Sequence, residues 1–211
     1  MSAEKQHSRA QARRAAILDA ARQLFLEKGF ERTSLTEIIE RSKGSRSTLY
    51  ALFGGKEGLL QAMVEDATQR VWEAISCGDQ AMPLSEDGLT DVGCRFVRAV
   101  CQPDSVAMFR LIVGEGVRVP DIADLFFNSG PRQLRQQLGN WFNDTMTAHA
   151  ITGPCPEHLA NMFIGIVLSD FHLRSALNVQ LDWTDADMGD YVRAAVRVFL
   201  KGSGLDQATP A

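Results

Sequence analysis

The first proline of this chain is Pro83, so 82 residues run without the side chain that removes a backbone donor and clashes with the preceding helical turn. A proline-free stretch of that length suits a succession of helices, and its apolar spacing agrees. Ile17, Ala20, Ala21, Leu24 and Phe25 follow the i, i+3, i+4, i+7, i+8 stripe of an amphipathic helix over residues 9–28, which Gly29 is placed to end. Ser34-Leu35-Thr36-Glu37 reads as a capping box, in which the Ser34 hydroxyl accepts from the Glu37 amide and the Glu37 carboxylate from the Ser34 amide. It opens a short helix over 35–42 with Leu35, Ile38 and Ile39 inward. Lys43-Gly44 makes a tight turn, Ser45 caps a third helix with Leu49, Leu52 and Phe53 inward, and Gly54-Gly55 ends it. From Lys56 to Ser76 runs a longer helix, with Leu59, Leu60, Met63, Val64, Ala67, Val71 and Ile75 at helical spacing.

Beyond Pro83, the remaining prolines divide further helical patterns over 86–101, 104–115, 120–128, 131–150, 156–178 and 185–200, and Gly202 onward reads as a frayed tail. No segment alternates at period two, so the expected fold is all-α, with no sheet. Charge divides the chain near residue 60. The whole carries −4, but residues 1–60 hold 11 Lys and Arg against 7 Asp and Glu, a net of +4, while 61–211 hold 11 against 19, a net of −8. The expected domains are a head at 1–60 and a helical body at 61–205.

Several function classes drop out. Apolar runs such as Met162–Leu168 are far short of the roughly 20 residues that cross a bilayer, and Asp19 and Arg22 interrupt any secretory apolar region, so the expected location is the cytoplasm. Cys77, Cys94, Cys101 and Cys155 form no CxxC pair, which points to reduced thiols. No GxSxG, P-loop, HExxH or dinucleotide fingerprint is present, and His7, His149, His158 and His172 are scattered, so neither an enzyme nor a cofactor is expected. Asp182, Asp185, Asp187 and Asp190 resemble a calcium loop only in part, because Val196 stands where a bidentate Glu belongs. Thr184 as cap with Asp187 as its partner accounts for them, and no metal site is expected.

Two short helices joined by a tight turn, preceded by a longer one and crowded with bases and hydroxyls, describe a helix-turn-helix unit. On its second short helix Arg46 can grip guanine O6 and N7, Ser47 and Thr48 can bond a base or a phosphate, and Tyr50 offers a hydroxyl to a phosphate. Gly55 and Lys56 open the next helix with free amides beside an ammonium, a seat for another phosphate.

The run Thr33-Ser34-Leu35-Thr36-Glu37-Ile38-Ile39, then Ser45-Arg46-Ser47-Thr48-Leu49-Tyr50-Ala51-Leu52-Phe53-Gly54-Gly55-Lys56-Glu57-Gly58-Leu59-Leu60, resembles the DNA-binding domain of TetR/AcrR transcriptional regulators. The resemblance implies a DNA-contacting set of Ser34, Lys43, Ser45, Arg46, Ser47, Thr48, Tyr50 and Lys56, with Arg46 and Ser47 on bases and the others capping or holding phosphates. The turn departs from the family's Ala-Gly-Val: here Ser42-Lys43-Gly44 puts the glycine one place later and adds Lys43 as a phosphate contact.

Met108 to Glu115, followed by Pro120-Asp121-Ile122-Ala123 and Phe126-Phe127, is similar to the AefR-like C-terminal subgroup. Residues 156–178 are apolar around nearly their whole circumference, which suits a helix buried on both sides, either as a central core helix or with one side on a symmetry mate. The expected dimer interface is Phe163, Gly165, Ile166 and Ser169, with Val192, Val196 and Phe199 from the last helix. Two heads are needed because one recognition helix contacts too few bases. A small hydrophobic effector is expected in the body, with Phe109, Phe127, Trp141, Phe142, Met146, Met162, Phe163, Phe171 and His172 as candidate lining and Asn161 as a further polar handle. The expected function is thus a ligand-responsive dimeric repressor on a palindromic operator. A thiol-redox-responsive regulator, through Cys94 and Cys101, and a helical dimerisation scaffold that binds no DNA are the alternatives.

Overall fold

The computed structural model describes residues 2–76, 84–179 and 184–205, with side chains from Ser8 onward. Cys77, Pro83, Asp182 and the tail after Leu205 lie outside the described residues. Every regular element among the described residues is helical: α1 (Ser2–Lys28), α2 (Leu35–Ser42), α3 (Arg46–Phe53), α4 (Lys56–Ile75), α5 (Glu86–Val100), α6 (Pro103–Gly116), α7 (Pro120–Ser129), α8 (Pro131–Ala148), α9 (Pro156–Leu168), α10 (Phe171–Leu177) and α11 (Asp185–Ser203). The chain separates into two units, one of residues 1–67 with 107–129, the other of 68–106 with 130–211.

In the first unit, α1 supplies Ile17, Leu18, Ala21, Leu24 and Phe25 to a core closed by Ile38 of α2, Leu49 and Phe53 of α3, and Leu59, Leu60 and Met63 of α4. Met108 and Ile112 of α6 and Ile122 of α7 belong to the same core. Here the structural division differs from a cut at residue 60. An apolar stripe records that a helix face is buried but not which helix covers it, so the sequence has no signal for where α6 and α7 pack. A polar contact reinforces the placement, since Glu115 Oε1 accepts from the Phe30 amide at 3.1 Å, in space that a Gly29 side chain would occupy.

The second unit packs α5, α8, α9 and α11 around Leu89, Val92, Leu138, Phe142, Leu159, Phe163, Val192, Val196 and Phe199. At Gly93 a Cβ would lie 2.7 Å from Val192 Cγ1 and 3.3 Å from Val167 Cγ1, so the glycine lets α5, α9 and α11 converge. Arg193 and Arg197 of α11 bind Glu86 at the start of α5, with Arg193 also on Asp87.

Two expectations are corrected. The helix over 156–178 is broken: Ser169 takes φ 45° and ψ −127°, its amide closing α9 on the Gly165 carbonyl, and α10 starts afresh after Asp170, which Arg174 Nε meets at 2.5 Å. No proline or glycine marks the break. The last helix also outlasts 185–200. It continues to Ser203, whose hydroxyl donates to the Phe199 carbonyl at 2.7 Å, Gly204 caps it in the left-handed conformation, and Leu205 is buried.

Candidate nucleic-acid interface

The α2 helix starts as its sequence dictates. Ser34 Oγ accepts from the Glu37 amide at 3.2 Å and Glu37 Oε2 accepts from the Ser34 amide at 2.9 Å. The other Glu37 oxygen pairs with Lys28. That hydrogen bond to Lys28, followed by those from the Ser34 amide and hydroxyl, holds the Glu37 carboxyl down at about 2. Arg41 pairs with Glu27 at 2.9 Å, a second brace from α2 to α1.

The turn explains the displaced glycine. Lys43 takes the left-handed conformation, φ 52° and ψ 36°, at the position where helices usually place glycine, and the Gly44 amide donates to the Ile39 carbonyl at 3.0 Å. Arg13 Nη1 donates to the Lys43 carbonyl at 2.9 Å, tying α1 to the turn. Gly44 is itself confined, because a Cβ there would meet Ser42 Oγ at 3.0 Å and Ile17 at 3.6 Å.

Ser45 caps α3 by accepting from the Thr48 amide at 3.1 Å. Its hydroxyl lies 3.0 Å from Ser47 Oγ and 2.7 Å from Thr48 Oγ1, so three hydroxyls gather at the positive end of the helix dipole, an arrangement that suits an anionic oxygen. Arg46 is exposed, with Nη2 3.3 Å from Thr36 Oγ1 of α2. Tyr50 is half exposed, while Leu49 and Phe53 anchor the opposite face. Leu52 is 40% exposed rather than inward, because Leu49 and Phe53 alone lie on the buried stripe of this two-turn helix.

Ser45, Ser47 and Thr48 thus cluster, Arg46 bridges towards α2, and Lys43 sits on the turn between them. Ser34 and Lys56 are more committed. The Ser34 hydroxyl also donates to Glu37 at 3.0 Å, and Lys56 Nζ donates to the Glu31 carbonyl at 3.0 Å while lying 4.5 Å from the Phe30 ring centroid. Three supporting residues escaped the sequence reading. They are Arg13, Arg14, whose guanidinium carbon lies 5.5 Å from the Phe53 ring centroid, and Thr36. Only the spacing of arginines before Ile17 hinted at the first two.

The candidate effector residues divide between the two units. Phe109 and Phe127 fall in the first unit, the other seven in the second. Phe142 and Phe163 are packed against Phe199, with ring centroids at 5.7 and 5.4 Å, and Phe171 stacks edge-on to Tyr191. Trp141 sits edge-on to Phe142, whereas Met162 and Phe127 are at least half exposed. Burial holds the His172 imidazole below its ordinary pKa. Of the nine, Met146 lines a surface depression of about 450 Å³, together with Ile151, Pro154 and Cys155.

The expected dimer residues also divide. Phe163, Val192, Val196 and Phe199 face the core of their own unit, while Gly165 and Ser169 are exposed and Ile166 is half-buried. The outward apolar residues of α9, α10 and α11 are Met162, Leu173, Leu177 and Val198. A stripe that serves the intramolecular core looks the same in sequence as one that serves a partner. Cys94 and Cys101 are both pushed up in pKa by burial, which suppresses thiolate chemistry, and Cys155 is exposed. Among the described residues no cluster of potential metal ligands occurs, Thr184 caps α11 with Asp187 as its partner, and no helix is long and apolar enough to cross a membrane.

Residues 17–63 match the model of the bacterial regulatory proteins of the tetR family, and residues 87–202 match that of the AefR-like transcriptional repressor C-terminal domain. The A-factor receptor protein of Streptomyces griseus is 35% identical over 84 residues, 40% of this chain and 28% of that protein. The transcriptional repressor ComR of Escherichia coli is 44% identical over 52 residues, 25% of each chain. These two matches therefore span about a quarter of each relative's length. Among solved structures, the flavonoid-responsive regulator FrrA is 27% identical, with a TM-score of 0.76 over 90% of this chain and 96% of that one. With both halves of the chain matched in order, and the head folded as its motif requires, the protein belongs to the TetR family of bacterial regulatory proteins and carries an AefR-like C-terminal domain.

Proposed function

We propose that the protein is a dimeric repressor that binds a palindromic operator through two heads and releases it when a small hydrophobic molecule occupies the body. The observation that carries the reading is the exposed start of α3, where Ser45, Arg46 and Ser47 surround the helix N-terminus and Tyr50 follows one turn on. Arg46 and Ser47 read base edges; Lys43, Thr48 and Tyr50 hold phosphates; Ser34 and Lys56 add backbone contacts through the helix ends they begin. Dimerisation uses the outward side of α9 and α10, through Met162, Gly165, Ser169 and Leu173, since Phe163, Val192, Val196 and Phe199 are spent on the core. The relatives support a ligand response, one being described as a receptor and another as flavonoid-responsive. A protein of this kind works in the cytoplasm, where its operator is.

The test is a gel shift on DNA flanking the protein's own gene and on duplexes selected from a random pool, repeated with a panel of hydrophobic small molecules. Retention that Arg46→Ala abolishes and that falls steeply with salt supports the reading. If Arg46→Ala and Tyr50→Ala bind every duplex as the parent does, the assignment to α3 fails; if the parent retains no duplex even at low salt, a scaffold that binds no DNA takes its place.

A further inference from the structure

The α1 helix is 27 residues long, about 40 Å at 1.5 Å per residue, yet among its described side chains, from Ser8 onward, the first that is buried is Ile17. Ser8 to Ala16 are all exposed, and the segment matched to the family begins only at residue 17. Residues 8–16 therefore contribute no buried side chain, and they lie outside the matched segment.

Its composition restricts what it can meet. Residues 2–16 contain no large apolar side chain, so it has no stripe for a protein groove and no wedge for a membrane surface. They carry Lys5, Arg9, Arg13 and Arg14, and no acid intervenes between Glu4 and Asp19. These cations are badly placed for the helix itself. Lys5 and Arg9, and Arg9 and Arg13, are like charges at i, i+4. A polyanion laid along the helix removes that cost.

The segment also emerges at a telling place. Arg13 holds the Lys43 carbonyl in the turn before α3, and Arg14 covers the Phe53 ring at the other end of α3. The basic helix thus leaves the head beside the candidate DNA-contacting helix and continues its positive surface outward.

We propose that residues 8–16 are a DNA arm that lies along the phosphate backbone beyond the half-site, with Arg9 as its leading contact. The arm adds affinity and salt dependence but no base preference. The inference rests on the DNA-binding reading above, and the test separates the two.

Binding of the full chain to a mixed-sequence duplex of about 40 base pairs is titrated by fluorescence anisotropy from about 50 to about 200 mM salt. The parent, Arg9→Gln, Arg9→Glu and Arg46→Ala are compared, and the same four proteins are run on a duplex selected from a random pool. Arg9→Gln should flatten the log–log salt slope by about 0.9 for each arm that loses its phosphate, with a larger loss for Arg9→Glu. On the selected duplex both Arg9 variants should weaken binding while keeping the parent's ranking of sequences. Arg9 variants with the parent slope, beside an Arg46→Ala variant that loses the selected duplex, overturn the arm and leave the DNA reading standing. Parent-like behaviour of all three variants overturns both.

Discussion

Gly58 in the first turn of α4 gives two physical arguments opposite signs, so replacing it by alanine decides between them. Helix propensity favours alanine over glycine by about 1 kcal/mol, which on its own makes Gly58→Ala stabilising. Tertiary packing says the reverse. A Cβ at position 58 would lie 1.7 Å from the Phe53 carbonyl oxygen and 2.8 Å from its carbon, against a practical minimum of 3.0 Å. The obstacle is backbone at the end of α3, not the tip of a flexible side chain, so α3 and α4 must separate by more than about 1 Å. Overpacking of this kind costs about 1–3 kcal/mol, and a backbone obstacle belongs at or beyond the upper end. Subtracting the propensity gain leaves a net loss of about 2 kcal/mol. For a chain of this size that lowers Tm by about 4–8 °C. Thermal unfolding of the full chain followed by circular dichroism gives the number, with Gly114→Ala as the control, because a Cβ there meets nothing within 4 Å. Gly114→Ala should melt at or above the parent. Because the strain falls on the helix that carries Arg46, Gly58→Ala should also weaken duplex binding. A Gly58→Ala protein that melts at or above the parent would refute the packing argument.

Three further outcomes follow from particular residues. Lys43→Gly relieves a left-handed residue worth about 1 kcal/mol but adds chain entropy to the unfolded state, so stability should change by less than about 1 kcal/mol. If Lys43 holds a phosphate, the same variant should flatten the salt slope of DNA binding by about 0.9 per head; an unchanged slope removes Lys43 from the contact set. Glu37 titrates at about 2 in the fold against 4.5 ordinarily, so its contribution is complete above about pH 4.5 and drains away as pH falls towards 2. The Tm gap between parent and Glu37→Gln should therefore close across that window, and a gap that stays constant would show that the Lys28 and Ser34 contacts do not form in solution. If the outward side of α9 forms the proposed dimer contact, Met162→Asp puts a charge into it and should leave a monomer in sedimentation where the parent is a dimer. Val192→Asp buries the charge in the protein's own core and should unfold the second unit instead.

Much of the head was legible because its determinants are local. The capping box at Ser34 and Glu37, the cap at Ser45 and the left-handed Gly54 act within four residues of themselves, so the limits of α2 and α3 can be read without knowing their neighbours. The prolines at 103, 120, 131 and 156 start α6, α7, α8 and α9 for the same reason. What needed the tertiary structure was every choice among partners. Val192, Val196 and Phe199 repeat as an interface would, yet they close on Phe163 and Leu89 of their own unit. Met108, Ile112 and Ile122 were legible as buried, but not as part of the head's core. Ser169 breaks a continuous apolar pattern without a proline or glycine, and Lys43 holds a left-handed turn that Arg13, thirty residues earlier, helps to fix. Caps and periodicity are properties of a segment and are written in it. Which face meets which, and where a backbone must bend to allow it, is settled only when distant segments compete for the same space.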